Sequence, residues 1–213
     1  MPRKRIPIVA SDPYHITARC INREWFELPL PTVWSIMEDY LYLLSSTHNL
    51  KIHSFVLMAN HFHLLISAPE GNLSNALLYF MRETSKQITR LSGRINQTYG
   101  NRNYKTRITR YHHFLNTYKY VYQNPAQAGV CTHVENYPFS TLNGLCGFSK
   151  LIIPVNDELL FQESFQIREL DWLNKAPDPE NWAQMKAALR RSTFSLTAHP
   201  RTREKSYLET GLL

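Results

Sequence analysis

The chain has 213 residues, of which 43% are hydrophobic and 19% charged, a composition that excludes disorder throughout. Lysine and arginine outnumber acidic residues by 24 to 17, and the resulting formal net charge of +7 favours a polyanionic partner. Three widely spaced cysteines argue against a disulfide framework or a thiolate zinc site, and no apolar stretch has the length of a membrane span.

The first predicted elements are a strand, a helix and a pair of strands. Residues 14–21 alternate and are rich in β-forming side chains, which predicts a strand. Apolar residues spaced three and four apart then predict a helix that extends to about residue 49. Two apolar runs, Lys51–Met58 and His61–Ser67, are joined by Ala59-Asn60 and predict adjacent antiparallel strands.

The later elements complete an alternating pattern. Residues 73–91 keep their apolar side chains near one face and predict a second helix. A fourth strand is predicted over residues 104–111, and a third helix over residues 112–123. Asn124-Pro125 is expected to bend or end that helix, because proline disfavours helical geometry in the preceding residue. The order of elements predicts an α+β fold, a ferredoxin-like sandwich, and a further helix is predicted over residues 180–191.

The His61-Phe62-His63 triplet is the sharpest local motif. Side chains alternate along a strand, so both imidazoles lie on one face and Phe62 lies on the other. Two imidazoles placed in this way can bind one cation. A buried neutral pair or a solvated pair explains the triplet as well. A barrel-type zinc hydrolase also uses such a triplet, but that fold needs about 250 residues and repeated strand-helix units.

Tyr120 and Asn124 form a second candidate pair. They are four residues apart and share one face of the predicted helix. A phenol can act as a covalent nucleophile, but its ordinary pKa of about 10 means that a nearby cation must favour ionisation. Asn124 is a candidate oxygen ligand to the same cation. The alternative is that these tyrosines only pack in the core, and that Tyr118 and Tyr122 pack or stack on bases.

Four segments together resemble the insertion-sequence tyrosine transposases, nearest their REP-associated branch. Met58-Ala59-Asn60-His61-Phe62-His63-Leu64-Leu65 resembles the HUH motif, in which a hydrophobic residue separates two histidines. Tyr120-Val121-Tyr122-Gln123-Asn124-Pro125-Ala126-Gln127-Ala128-Gly129-Val130 resembles the nucleophile helix and its exit. The opening strand Pro13–Arg19 and Tyr137-Pro138-Phe139-Ser140-Thr141 also match. The stretch 102–110 matches poorly, and residues after about 148 do not match.

The resemblance implies an HUH endonuclease fold that uses Mg or Mn. By this resemblance His61 and His63 are metal ligands, Tyr120 is the nucleophile and Asn124 is the polar ligand one turn later. Attack by Tyr120 would leave a 5′-phosphotyrosine and free a 3′-hydroxyl, which can reverse the attack and transfer the strand. The branch implies a repeated palindromic target and favours a monomer, although exchange of elements between two chains stays open.

Two groups of cations are candidate nucleic-acid contacts. One group recurs every four residues on the second predicted helix and includes Arg82, Lys86, Arg90 and Arg94. The other precedes the third helix: Arg102, Lys105, Arg107 and Arg110. These groups are expected to hold phosphates in a salt-sensitive way. A solvated helix face is an equal explanation for the first group.

We therefore expect an HUH tyrosine transposase or endonuclease domain over residues 8–147 and a helical C-terminal extension over residues 148–213. The expected substrate is single-stranded or hairpin DNA, and the expected location is the cytoplasm, associated with the nucleoid and not with a membrane. Two rival interpretations remain: a non-catalytic single-strand nucleic-acid binder on the same fold, and a metal-dependent hydrolase whose nucleophile is water.

Overall fold

A computed structural model describes residues 8–10, 12–100, 103–156, 166–198 and 203–213, with the side chains of residues 166–169 left aside. The strands are β1 (Pro13–Arg19), β2 (Lys51–Met58), β3 (His61–Ser67) and β4 (Tyr104–Arg107). The helices are α1 (Leu30–Thr47), α2 (Leu73–Ser92), α3 (Tyr111–Gln127), α4 (Thr141–Leu145), α5 (Gln166–Asn174) and α6 (Pro179–Ala188).

The four strands form one antiparallel sheet in the order β2-β3-β1-β4. Strand β3 is central, and His63 lies on it between Thr17 of β1 and Val56 of β2. On the far side of β1, His15 pairs with Thr106 of β4. This register places the predicted histidine strand in the middle of the sheet, where paired neighbours on both sides hold it.

Helices cover both faces of the sheet, which confirms the predicted α+β architecture. Ile16, Phe62 and Leu64 point to one face and pack in a core shared with α1 and α2. Val56 and Leu65 point to the other face, in a second core shared with α3 and the C-terminal helices. The side-chain alternation that separates Phe62 from His63 therefore also decides which helices each residue meets.

Helix α3 differs from its predicted bounds at its C-terminal end. It continues through Asn124 and Pro125 to Gln127, so the expectation that the helix ends at Asn124-Pro125 is wrong. Proline in the last turn removes only one helical hydrogen bond, and the chain nearby supplies others. The Ala128 N–H donates to the Asn124 carbonyl (3.0 Å) and the Val130 N–H to the Pro125 carbonyl (3.0 Å). As a result Asn124 stays on the same helical face as Tyr120.

Strand β4 is shorter than predicted: it ends at Arg107, and α3 begins at Tyr111, the last residue of the predicted strand. The C-terminal helices lie against α3 and against this edge of the sheet. The Thr106 hydroxyl donates to the Leu189 carbonyl (2.8 Å), and the Phe194 N–H donates to the Arg107 carbonyl (2.8 Å). Within the described ranges, no helix combines the length and the apolar character needed to cross a membrane.

Candidate active site

Three imidazoles lie together on the sheet face that α3 covers. The pair that the sequence indicates, His61 and His63, is on β3, and its rings are 5.0 Å apart between centroids. The third is His15 on β1, whose Nε2 lies 2.9 Å from the Nδ1 of His63. His15 is 2% exposed, and its ring stacks on that of His63. Sequence reasoning did not assign His15, although a polar residue at an inward position of a strand was a usable signal.

In both His61 and His63 the hydrogen bond uses Nδ1 and leaves Nε2 for another partner. His61 engages its Nδ1 with Oδ1 of Asn60 (2.7 Å), and His63 engages its Nδ1 with His15. The Nε2 of His63 is buried and makes no hydrogen bond within the described part of the chain. Such an orphaned imidazole nitrogen fits a metal ligand, and the hydrogen bond at the opposite ring atom is typical of one.

Burial keeps these imidazoles neutral. It lowers the pKa of His61 to about 4 and that of His15 to about 3, and the nearby Arg19 adds a smaller lowering at His61. Burial also lowers the pKa of His63 far below its ordinary value, helped by the neighbouring histidines. Neutral imidazole is the form that binds a metal, so this site needs no proton release from His61 or His63 near pH 7.

Tyr120 projects from α3 toward this cluster in the same chain. Its ring centroid lies 5.7 Å from that of His63 and 6.0 Å from that of His15, edge-on to both. The side chain is 6% exposed. The fold therefore brings together a strand residue and a helix residue that are 57 positions apart in sequence, as the sequence analysis requires.

Asn124 lies one helical turn beyond Tyr120 and is half-buried. Its Nδ2 donates to the Tyr120 carbonyl at 2.7 Å, which leaves the side-chain oxygen for another partner. Across the described ranges, no group of three or more His, Cys, Asp and Glu side chains is arranged to hold a metal ion. A cation bound by His61 and His63 would thus need a ligand of another type, and an amide oxygen is one that Mg and Mn accept.

Burial raises the pKa of the Tyr120 hydroxyl to about 12. The positive charges of Arg190 and Arg19 oppose this rise, and so does a hydrogen-bonding contact with Asn124. Both arginines are exposed, one after α6 and one at the end of β1. Neither was assigned from the sequence. Arg19 shares the strand face of His15, which indicates its position. Arg190 follows α6, and no sequence pattern around it indicates that it lies near Tyr120.

Trp182 of α6 covers the phenol. The Tyr120 and Trp182 ring centroids are 4.5 Å apart and the ring planes are tilted by 33°. Trp182 lies in the helix predicted over residues 180–191, but no contact with Tyr120 was predicted for it. Its contact with Tyr120 contributes to the burial that disfavours the phenolate.

We expect Trp182→Ala to lower the pKa of Tyr120 from about 12 toward the ordinary value of about 10, because water then reaches the phenol. NMR of tyrosine-labelled protein, assigned by comparison with Tyr120→Phe, measures this pKa directly. Trp25→Ala, which removes an exposed indole from the loop between β1 and α1, is the control and should leave the pKa unchanged. An unaltered pKa in folded Trp182→Ala protein would contradict the role of this contact.

The predicted basic stripe of α2 lies away from Tyr120. Arg82, Lys86 and Arg90 are exposed, but α2 packs on the sheet face of Phe62, opposite to the histidines. Arg82 and Lys86 both contact Glu83, at 2.6 and 3.1 Å.

The second group of predicted cations is also spread out. The Lys105 ammonium donates to the Ser74 hydroxyl (2.9 Å), and burial lowers the pKa of this lysine. Arg107 pairs with Asp12, and Arg110 pairs with Glu209 at 2.8 Å. Arg102 lies outside the described residues. The structure therefore does not gather Lys105, Arg107 and Arg110 into one patch beside Tyr120.

Comparison with solved structures identifies the fold. The chain is similar to a REP-associated tyrosine transposase bound to a REP hairpin, with a TM-score of 0.57 and 22% sequence identity. The match covers 74% of this chain and 93% of the other chain. No family model matches the sequence, and no curated protein matches it. The four-stranded antiparallel sheet with its helices is thus the fold of that tyrosine transposase, which confirms the fold implied by the sequence resemblance.

Proposed function

We propose that this chain cleaves and rejoins single-stranded DNA through a covalent bond to Tyr120. The observation that carries the proposal is the 5.7 Å separation between the rings of Tyr120 and His63 within one chain. A phenol beside neutral imidazoles, on the fold of a tyrosine transposase, supports a phosphotyrosine mechanism. We further propose His61, His63 and Asn124 as the ligands of Mg or Mn.

The proposed reaction exchanges one phosphodiester bond for another. The Tyr120 phenol gives up its proton and its oxygen bonds to phosphorus, the bond between phosphorus and the 3′ oxygen breaks, and the departing oxygen takes up one proton. The cation, when bound, would favour the phenolate and neutralise charge on the attacked phosphate. Arg19 and Arg190 would add positive charge at the same place. Reversal by the free 3′-hydroxyl needs no nucleotide cofactor, because the covalent link preserves the bond energy.

His15 would act as a positioning residue for His63. If the Nδ1–H of His63 donates to Nε2 of His15, the lone pair of His63 stays on Nε2, the orphaned atom. The stacked contact between the two rings would also fix the plane of the ligand.

The proposed substrate is single-stranded DNA beside a hairpin. The structural neighbour was solved with a REP hairpin, and the formal charge of +7 favours a nucleic acid here. Because His63 and Tyr120 meet within one chain, the arrangement supports a monomer as the active unit. A nucleoid-associated location in the cytoplasm would follow from this substrate.

A second candidate function is non-catalytic binding of single strands. The burial of Tyr120 beneath Trp182, which raises the phenol pKa to about 12, favours this alternative. For catalysis, bound DNA and the cation must offset the rise in the phenol pKa that burial causes.

The test uses a pool of 3′-labelled hairpins with randomised single-stranded flanks, incubated with the protein and Mn. We expect a labelled protein-DNA adduct that survives denaturant and disappears when a chelator is present. Cleavage without an adduct would favour a water nucleophile. Binding with neither cleavage nor adduct would favour the non-catalytic alternative.

A further inference from the structure

The loop between β1 and α1 presents an exposed indole at the end of the sheet where β3 begins. Trp25 is 74% exposed, whereas the next residue, Phe26, is buried in the core. A single exposed apolar side chain is ordinary on a protein surface. The surroundings of Trp25 distinguish it, because the loop is fixed at several points and is joined to the histidine strand.

A single buried guanidinium holds the loop on both sides of Trp25. The Arg94 side chain is 4% exposed and contacts Glu24 at 2.6 Å and Glu27 at 3.3 Å. Arg94 was predicted to continue the basic stripe of the second helix as a candidate nucleic-acid contact, but α2 ends at Ser92 and the Arg94 side chain is directed into this loop. These two ion pairs hold the loop on either side of Trp25 without covering the indole, so less freedom of the loop is lost on binding.

The loop backbone adopts unusual conformations. Asn22, Arg23 and Glu27 have φ angles of 54°, 63° and 61°, in the left-handed region that residues with side chains rarely adopt. Such conformations persist only where surrounding contacts impose them, and they concentrate at functional sites. Here the Phe26 N–H donates to the Ala59 carbonyl (3.2 Å), which anchors the loop to the turn before β3.

The side chain of Asn60 joins this loop to the candidate metal site. Its Oδ1 lies 2.7 Å from Nδ1 of His61, and its Nδ2 donates to the Arg23 carbonyl at 2.9 Å. The Cys20 N–H also donates to the Asn60 carbonyl (2.8 Å). The residue that orients His61 therefore also holds the loop that carries Trp25.

We propose that Trp25 is a stacking platform for an unpaired base of the DNA strand, close to the phosphate that Tyr120 attacks. This inference rests on the proposed function. Every base has an aromatic face, and an exposed indole on a fixed loop suits it. The exposed Arg19 and Arg23 lie on the same segment and suit the adjoining phosphates. A DNA strand therefore fits both features, because its bases can stack on the indole and its phosphates can bind the arginines.

Binding of fluorescently labelled single-stranded DNA tests the platform. The background variant Tyr120→Phe is used for all measurements so that cleavage does not intervene. We expect Trp25→Ala to weaken binding about tenfold and Trp25→Phe to retain most of the affinity. Tyr42→Ala removes another exposed aromatic ring, from α1, and should bind like the background protein.

Scanning of the strand with 2-aminopurine locates the contact. Stacking quenches the fluorescence of 2-aminopurine. We expect this quenching at positions near the phosphate that Tyr120 attacks in the parent protein. The quenching should be lost in Trp25→Ala and retained in Tyr42→Ala. Equal affinity for all variants, with no position that depends on Trp25, would overturn the proposal. A change in self-association on Trp25→Ala without a change in DNA affinity would assign the indole to a second copy of the chain instead.

The outcomes separate this inference from the proposed function. If the protein with Tyr120 intact forms the adduct while Trp25→Ala changes neither affinity nor quenching, the platform is wrong and the nuclease stands. If Trp25-dependent quenching is found but Tyr120 forms no adduct, the stacking of a base on Trp25 stands, whereas the catalytic proposal and the position of the platform beside an attacked phosphate are wrong. A protein that binds no single strand at all would overturn both.

Discussion

Replacement of Tyr120 by phenylalanine is expected to abolish the covalent protein-DNA adduct, with cleavage reduced by more than about a thousandfold. The substitution removes only the attacking oxygen and keeps the ring that packs against Trp182 and His63. Because only one oxygen atom is removed, the change in shape is small, so binding of DNA should persist. Denaturing gels measure the adduct, and fluorescence anisotropy measures the binding.

Tyr118→Phe is the matched control, since it removes a hydroxyl from a buried ring two residues earlier on α3. This variant should form the adduct at close to the parental rate. Parental cleavage by Tyr120→Phe would exclude the phenol as nucleophile and would indicate water in its place.

Substitution of the strand histidines is the second change with a large expected effect. His61→Ala and His63→Ala should each weaken Mn binding by at least about a hundredfold and abolish metal-dependent cleavage, because each removes a proposed ligand. Titration of Mn by electron paramagnetic resonance measures binding without any dependence on activity. His61→Ala is the milder variant, since His61 is only half-buried, whereas His63 is buried in the sheet and hydrogen-bonds to His15.

His133→Ala provides the comparison for these variants, because that imidazole is exposed and lies on the segment after α3. It should bind Mn with parental affinity and stoichiometry. If His61→Ala and His63→Ala also retained parental Mn affinity while folded, the proposed ligand set would be wrong.

The sheet and its histidine face were predictable because they depend on short-range patterns. Alternation along Lys51–Met58 and His61–Ser67 fixes which side chains share a face, and both strands have the predicted bounds. The position of Tyr120 beside His63 was expected from the family resemblance. The structure reproduces that juxtaposition, while the catalytic roles stay predictions.

The contacts that sequence reasoning missed all join segments distant in the chain. His15 reaches His63 because β1 pairs with β3, and Trp182 reaches Tyr120 because α6 lies on α3. Periodicity describes one element at a time and carries no information about such pairs. The basic stripe was predicted in part. Arg82, Lys86 and Arg90 were correctly expected to be exposed, but their spacing could not show that α2 packs on the sheet face opposite to Tyr120.

The buried phenol is the feature that a catalytic account has to explain. With a pKa raised to about 12, Tyr120 is almost entirely protonated near neutral pH in the free protein. The proposed cation and the two arginines all act in the direction that lowers this pKa. Activity should therefore depend steeply on the metal, since the protein groups alone leave the phenol protonated.

The most direct test of the central claim is tandem mass spectrometry of the peptide that remains attached to DNA after the reaction with Mn. Trypsin cleaves after Lys119, and the peptide that begins at Tyr120 also contains Tyr122 and Tyr137, so fragmentation must locate the modified residue. We predict a nucleotide joined through its 5′ phosphate to Tyr120 alone. Attachment to either of the other tyrosines, or strand cleavage with no modified peptide, would contradict the mechanism.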